Sequence, residues 1–228
     1  MKAYLYFIPV LLSDFLAFLN VYDRADNSFD LLRILYLEKT SFKDFSFDPF
    51  PLFIMLNYTL NAVLSVSYVT SNSLKSGNCF VLSRFNSSGR CLAFICVDTL
   101  KRIILCSFVQ SVSPALISSA AMELYDIGGM LLLIVVFFIR QTVLLSYGAF
   151  IALLIGKKTI DAAADIMGAL FILLLVIADP FMPCALALAD ISADNRIIIA
   201  IEVCVIAALF VVYFCCFGKS RDKLDERS

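Results

Sequence analysis

Two long apolar runs constrain this chain more than anything else in it. Ile127–Ile155 is apolar apart from Arg140 and a few small polar residues, and Ile197–Phe217 carries Glu202 as its only charge. A helix needs about 20 mainly apolar residues to cross roughly 30 Å of hydrocarbon. Within one segment, only a helix satisfies its own backbone polar groups there. Both runs therefore predict membrane helices. Composition agrees: the 228 residues are 61% hydrophobic and 16% charged, against about 45–50% and 25% in soluble domains. The expected fold class is all-α, a polytopic transmembrane helical bundle of five or six spans.

Thr159–Ala178 is a third strong span. Asp161 and Asp165 stand in its first turns, where carboxylates favour a helix N-terminus. Asp179-Pro180-Phe181-Met182-Pro183 ends it, because proline lacks a donor and disfavours helix before it. Three earlier segments are weaker. Ala3–Tyr22 holds Pro9 and Asp14, Leu52–Val69 holds Asn57 and Asn61, and Ile103–Ala121 holds Gln110, Pro114 and several serines. Lys2 ahead of the first run also fits a signal peptide, but no small-x-small cleavage site follows, so a retained helix is expected. Ile127–Ile155 is too long for one upright span. A membrane helix is expected from about Ile127 to Leu145, then a bend near Tyr147-Gly148 into an interfacial segment ending at Gly156-Lys157-Lys158. The resulting organisation is an apolar segment plus amphipathic loop over 1–48, a bundle over 49–217 and a charged tail over 218–228.

Loop charges orient the spans, since Lys and Arg in short loops stay cytoplasmic. With six spans and both termini inside, only Arg24, Arg33, Lys39, Lys43 and Arg196 of the 18 basic residues fall outside. The Glu123–Asp126 turn, purely acidic, falls outside between basic neighbours. Five spans with an external N-terminus preserve the same C-terminal half, so the C-terminus is expected to be cytoplasmic. Leu31–Leu37 is amphipathic and expected on the membrane surface, whereas Thr70–Arg90, rich in Ser and Asn, reads as a cytoplasmic loop. The net charge of −1 offers no basic excess for nucleic acid.

Chemistry is sparse. The chain has no histidine, which removes Ser-His and Cys-His nucleophiles and every imidazole-ligated metal. No C-x-x-C pair occurs among the eight cysteines, so these read as polarizable core residues, with Cys215-Cys216 as candidate acylation sites. H-E-x-x-H, G-x-S-x-G and Walker A patterns are absent. No metal and no cofactor is expected. Ionisable residues within membrane segments are the default functional candidates. Arg140 reads either as an ion contact or partner for Glu202 or Asp165, or as a side chain reaching up to the headgroups. Glu202 needs a partner, a proton or a water path. Asp161, Asp165 and Gly168 share one helix face with Ala164-x-x-x-Gly168, a small-x-x-x-small pattern that lets membrane helices approach closely; cation or proton handling by the carboxylates is the alternative.

The order of features over residues 84–217 adds a resemblance. A basic stretch from Arg84 to Arg102 precedes a modest span, then a strong span ends in Phe137-Phe138-Ile139-Arg140-Gln141. Leu144-Leu145-Ser146-Tyr147-Gly148-Ala149-Phe150 follows, then Gly156-Lys157-Lys158, a helix closed by Asp179-Pro180 and a last span with a basic tail. This resembles an uncharacterised multi-pass inner-membrane protein family of Bacteroidetes. The resemblance implies a bacterial inner membrane and a compact bundle, and it carries no assigned activity.

The functional expectation is a non-catalytic inner-membrane protein, an accessory or assembly component of a membrane protein complex. Its partners are the lipid bilayer and another membrane protein or a second copy of itself, met through faces such as Asp161/Asp165/Gly168. A small transporter or channel using Arg140, Glu202 and Asp165 is the alternative, distinguished by whether the three converge on a wet cavity. A membrane-embedded enzyme acting on lipid-linked substrates, built on Asp179, Asp190, Asp194 and Arg196, comes third.

Overall fold

The computed structural model describes residues 4–36, 49–76 and 88–156, with helical positions at 166–168, 170–171, 174, 204, 207–208 and 211. Among them every regular element is helical. The order is α1 (Tyr4–Val21), a 3-10 turn (Tyr22–Arg24), α2 (Ser28–Leu35), α3 (Pro49–Ser76), α4 (Ser88–Ala121) and α5 (Ile127–Gly156). Among the described residues three stretches are long and apolar enough to cross a membrane: Tyr6–Arg24, Phe94–Ala121 and Ile127–Ala152. Most of the segments expected at Thr159–Ala178 and Ile197–Phe217, and the whole 218–228 tail, lie outside the described residues.

Polarity runs inside out. Ile8, Leu12, Leu16 and Leu19 on α1, Phe108 and Leu116 on α4, and Leu131, Leu132 and Val135 on α5 are exposed. Asp14, Asn61, Gln110, Arg140 and Gln141 are buried. An aqueous protein would reverse this, since large exposed apolar patches are rare on soluble monomers; in lipid an apolar exterior costs nothing. The many hydroxyls of the weaker spans are hidden by their own helices. Ser65 Oγ donates to Asn61 O at 2.6 Å, Thr70 Oγ1 to Val66 O at 2.8 Å and Ser111 Oγ to Ser107 O at 2.7 Å. Such back-bonding to the preceding turn lets Ser and Thr sit mid-helix without exposing a polar group.

α4 and α5 form the most extensive pair; α3 packs on both, α1 on α3 and α4, and α2 mainly on α4. The core combines Tyr6 and Val10 of α1, Leu31 and Leu32 of α2, Val66 of α3, Ile103 of α4 and Leu144 and Leu145 of α5. A stacked aromatic pair, Tyr36 on Phe137 (4.0 Å between centroids, 5° between planes), joins the end of α2 to α5. The Tyr36 hydroxyl also donates to the Ser111 carbonyl of α4.

Two expectations are corrected. α5 does not give way at Tyr147-Gly148 but continues as helix to Gly156, 30 residues in all. Gly148 is buried, and glycine inside a helix costs only about 1 kcal/mol, too little to break a helix packed on its neighbours. α3 runs on through Thr70 to Ser76 and α4 begins at Ser88, so both ends of the expected loop Thr70–Arg90 are helical. The amphipathic α2 packs Leu31, Leu32 and Leu35 inward, where they join the core of the bundle.

Candidate functional site

The residues that made the three weaker spans look doubtful meet in one place. Asp14 of α1, Leu35 of α2, Asn57, Tyr58 and Asn61 of α3, Gln110 and Pro114 of α4, and Phe137 and Gln141 of α5 line a single cavity of about 20 Å³. Each of the five helices contributes at least one wall. The volume exceeds the roughly 10–15 Å³ that one water requires, so the cavity is sized for a single small guest.

Hydrogen bonds set the polarity of the walls. Asn61 Nδ2 donates to Asp14 Oδ1 at 2.8 Å, and the Ser113 hydroxyl donates to Asp14 Oδ2. Gln110 Nε2 donates to the Asn61 carbonyl at 2.8 Å and to Ser65 Oγ, with the Tyr6 hydroxyl at 3.3 Å. Tyr6 and Ser65 share a further hydroxyl–hydroxyl bond of 2.7 Å, and Ser13 donates to Asn57 Oδ1. These contacts assign the amide orientations, because only an NH2 group can donate to a carboxylate or a carbonyl. Both amide nitrogens are thereby committed to protein acceptors.

The amide oxygens are not. Asn61 Oδ1, Gln110 Oε1 and Gln141 Oε1 are buried and have no hydrogen-bond partner among the described residues. Their residues are 5%, 3% and 1% exposed, and Asp14 is 5% exposed. Native proteins pair nearly all buried polar atoms, so these three acceptors stand out, although each has essentially no surface open to the cavity. Pro114 adds to this surplus of acceptors. It has no N–H to close the helical bond onto the Gln110 carbonyl one turn earlier.

Of the residues singled out from sequence, Arg140 is buried in the bundle, 3% exposed, next to Gln141 on α5. It is not among the residues lining the cavity. Gly168 is buried against α5 and α3, where a Cβ would lie 2.9 Å from Ala152 Cβ and 3.1 Å from both the Gly148 carbonyl oxygen and Val66 Cγ1. Asp161, Ala164, Asp165 and Glu202 lie outside the described residues. Among the described cysteines, Cys96 and Cys106 are buried and Cys204 is exposed, all as free thiols. No group of three metal-ligating acids, thiols or imidazoles occurs among the described residues.

Sequence reasoning passed over Asp14, Asn57, Asn61, Gln110 and Gln141 as sites. A signal was present: Asn57 and Asn61 stand one helical turn apart, as do Gln110 and Pro114, so each pair shares a helix face. Read as membrane-embedded polar residues rather than as flaws in weak spans, they would have been candidates. Compared with family profiles, curated proteins and solved structures, the chain matches none.

Proposed function

We propose that this protein is a small multi-pass transporter or channel whose polar path passes through the Asp14–Asn61–Gln110–Gln141 cavity. The observation that carries this role is a cavity inside an apolar bundle lined by one carboxyl group, Asp14, and four side-chain amides, Asn57, Asn61, Gln110 and Gln141, drawn from four helices. Ionisable and polar residues gathered inside membrane segments mark substrate and ion paths.

The path thus runs through residues of α1, α3, α4 and α5, with Arg140 beside it on α5 rather than at its wall. The membrane is assigned as a bacterial inner membrane on the resemblance over residues 84–217. The C-terminus is assigned to the cytoplasm on the loop charges, and five or six spans follow if Thr159–Ala178 and Ile197–Phe217 both cross. Reporter fusions after residue 228 and within the Glu123–Asp126 turn test the orientation, which is wrong if both report the same side. For transport itself, the purified full chain is reconstituted in proteoliposomes and currents are recorded on imposed cation gradients. Wild type should give currents that Asp14→Asn abolishes; silence under every gradient would refute the role.

An accessory or assembly role in a membrane complex is the second proposal. It is favoured by the turn between α4 and α5, where Leu124 and Tyr125 are exposed between Glu123 and Asp126, with Ile127 exposed just after. An apolar knob on an acidic turn suits a membrane-protein partner or a second copy of this chain. Its test is co-purification from native membranes in mild detergent, lost on Leu124→Ser/Tyr125→Ser.

A further inference from the structure

Depth in the membrane and the partners of one carboxyl group decide which ion the cavity handles. Asp14 stands near the middle of the Tyr6–Arg24 stretch, Gln110 near the middle of Phe94–Ala121 and Gln141 near the middle of Ile127–Ala152. Asn61 stands near the middle of α3. Four helices thus bring polar residues to one level, close to the centre of the hydrocarbon. Asp14 is buried there, and no Lys or Arg lines the cavity with it. Among the described residues, the titratable groups that face it are phenols: Tyr58 of α3 in the lining and Tyr36 at the end of α2. α4 presents Ser113 and Gln110, and α5 presents Phe137 and Gln141. None of these balances a negative charge. A carboxylate without a counter-ion is costly at that depth. Membrane proteins relay protons through Asp, Glu and His, and this chain has no histidine.

The two oxygens of Asp14 are held differently. Oδ1 accepts from Asn61 Nδ2 at 2.8 Å. An amide NH2 can only donate, so Oδ1 remains an acceptor whether or not the group carries a proton. Oδ2 meets the Ser113 hydroxyl, which donates or accepts as its partner requires. Ser111 and Ser118 on the same helix bond back to the carbonyls of Ser107 and Pro114, whereas Ser113 reaches across to α1. A carbonyl nevertheless stands behind it. Gln110 lies three residues back, the spacing at which Ser119 bonds the Leu116 carbonyl at 3.0 Å. Pro114 has no N–H to occupy the Gln110 carbonyl. With Asp14 ionised, Ser113 donates to Oδ2. With Oδ2 protonated, the new O–H donates to Ser113 Oγ, and the serine proton turns to the Gln110 carbonyl. Asp14 and Ser113 therefore keep their hydrogen bond in both states without any helix moving.

We infer that Asp14 is a proton-binding site at the centre of the membrane, loaded on Oδ2 with Ser113 as its switching partner. One proton leaves hydronium for Oδ2: an O–H bond of hydronium breaks, an O–H bond on the carboxyl forms, and water remains. The carboxyl goes from one negative charge to none, and release reverses the step. A cavity of about 20 Å³ has room for the one water that hands the proton over. The inference rests on the transport role proposed above and deepens it by naming the proton as the ion carried, but loading and flux are read separately.

Loading is tested by infrared spectra of the purified full chain in detergent over about pH 4–9, in light and heavy water. Wild type should show a carboxylic-acid carbonyl band that shifts in heavy water and declines as the pH rises. Asp14→Asn should remove it, and Asp23→Asn, on the exposed 3-10 turn, should leave it in place. Ser113→Ala should displace the band, because Oδ2 loses its partner, and Ser113→Thr, which keeps the hydroxyl, should restore it. No exchanging band at any pH, or a band that both Asp14→Asn and Ser113→Ala leave untouched, would overturn the site. The Ser113 pair decides the point if Asp14→Asn fails to fold. Flux is read in proteoliposomes from a trapped pH-sensitive dye under a potassium diffusion potential. Ser113→Ala should slow proton entry about tenfold, and Ser113→Thr should recover it. A titrating Asp14 band without flux of any ion would uphold the site and refute the transport role. Current carried by another ion, with no Asp14 band, would do the reverse.

Discussion

Gly168→Ala tests how tightly the bundle closes. The new Cβ would stand 2.9 Å from Ala152 Cβ, 3.1 Å from the Gly148 carbonyl oxygen and 3.1 Å from Val66 Cγ1. Carbon atoms are comfortable at about 3.5–4.0 Å, so the helix bearing Gly168 must retreat by roughly 0.5 Å. Val66 can turn its methyl groups away. Ala152 Cβ and the Gly148 oxygen cannot, because both are fixed to the backbone of α5. Overpacking of this kind costs about 1–3 kcal/mol, and the better helix propensity of alanine returns up to about 1 kcal/mol. The net expectation is a loss of about 1–2 kcal/mol, or roughly 2–8 °C in unfolding midpoint for a chain this size. The companion change Ala152→Gly removes the nearest obstacle but carries its own helix cost of about 1 kcal/mol, so recovery is read against the sum of the two single changes, of which the double variant should recover about 0.5 kcal/mol or more. With no tryptophan in the chain, unfolding is best followed by far-ultraviolet circular dichroism. A maleimide dye that reacts when the buried Cys96 and Cys106 open is the alternative. A Gly168→Ala protein as stable as wild type, or a double variant that recovers nothing, would refute the close approach.

Three further outcomes are expected. Ser113→Ala and Asn61→Ala each strip one donor from Asp14 and should cost about 1–2 kcal/mol. A double-mutant cycle should show coupling of about 0.5 kcal/mol or more, because both act on one carboxyl group; strict additivity would count against the shared network. Tyr36→Phe keeps the stack on Phe137 and loses only the bond to the Ser111 carbonyl. It should cost about 1 kcal/mol, and Tyr36→Ala clearly more, both read by the same melts. Asp126 caps α5 by accepting from Gly129 N–H at 3.0 Å and has a φ of 46°, where residues with a Cβ are strained. Asp126→Ala should therefore destabilise by about 1 kcal/mol or more, and Asp126→Gly, losing the cap but relieving the strain, by less. A reversed order would mean that the turn is not held as described.

The helical class was legible at once, since apolar runs such as Ile127–Ile155 leave the chain few alternatives in lipid. The weaker spans were legible as segments but not in extent. Ser and Thr lower hydropathy near the end of α3, yet the Thr70 and Ser71 hydroxyls bond to backbone carbonyls of the preceding turn, which a composition count treats as full polarity. The amphipathic Leu31–Leu37 stretch displayed its apolar face, but that Leu31, Leu32 and Leu35 join the bundle core is seen only once the helices are packed. Arg140 was visible as a charge among apolar neighbours, but its burial is set by the helices around it.

The cavity was the least legible of all. Asp14, Asn61, Gln110 and Gln141 stand far apart in sequence, and no spacing rule links α1, α3, α4 and α5. Hydropathy is a sum along one helix, so it settled by itself that this chain forms apolar helices for a membrane. Which polar side chains face each other depends on how those helices rotate and pack, and that is a property of pairs. Only the tertiary structure therefore turned scattered blemishes in doubtful spans into one polar cavity lined by Asp14, Asn61, Gln110 and Gln141.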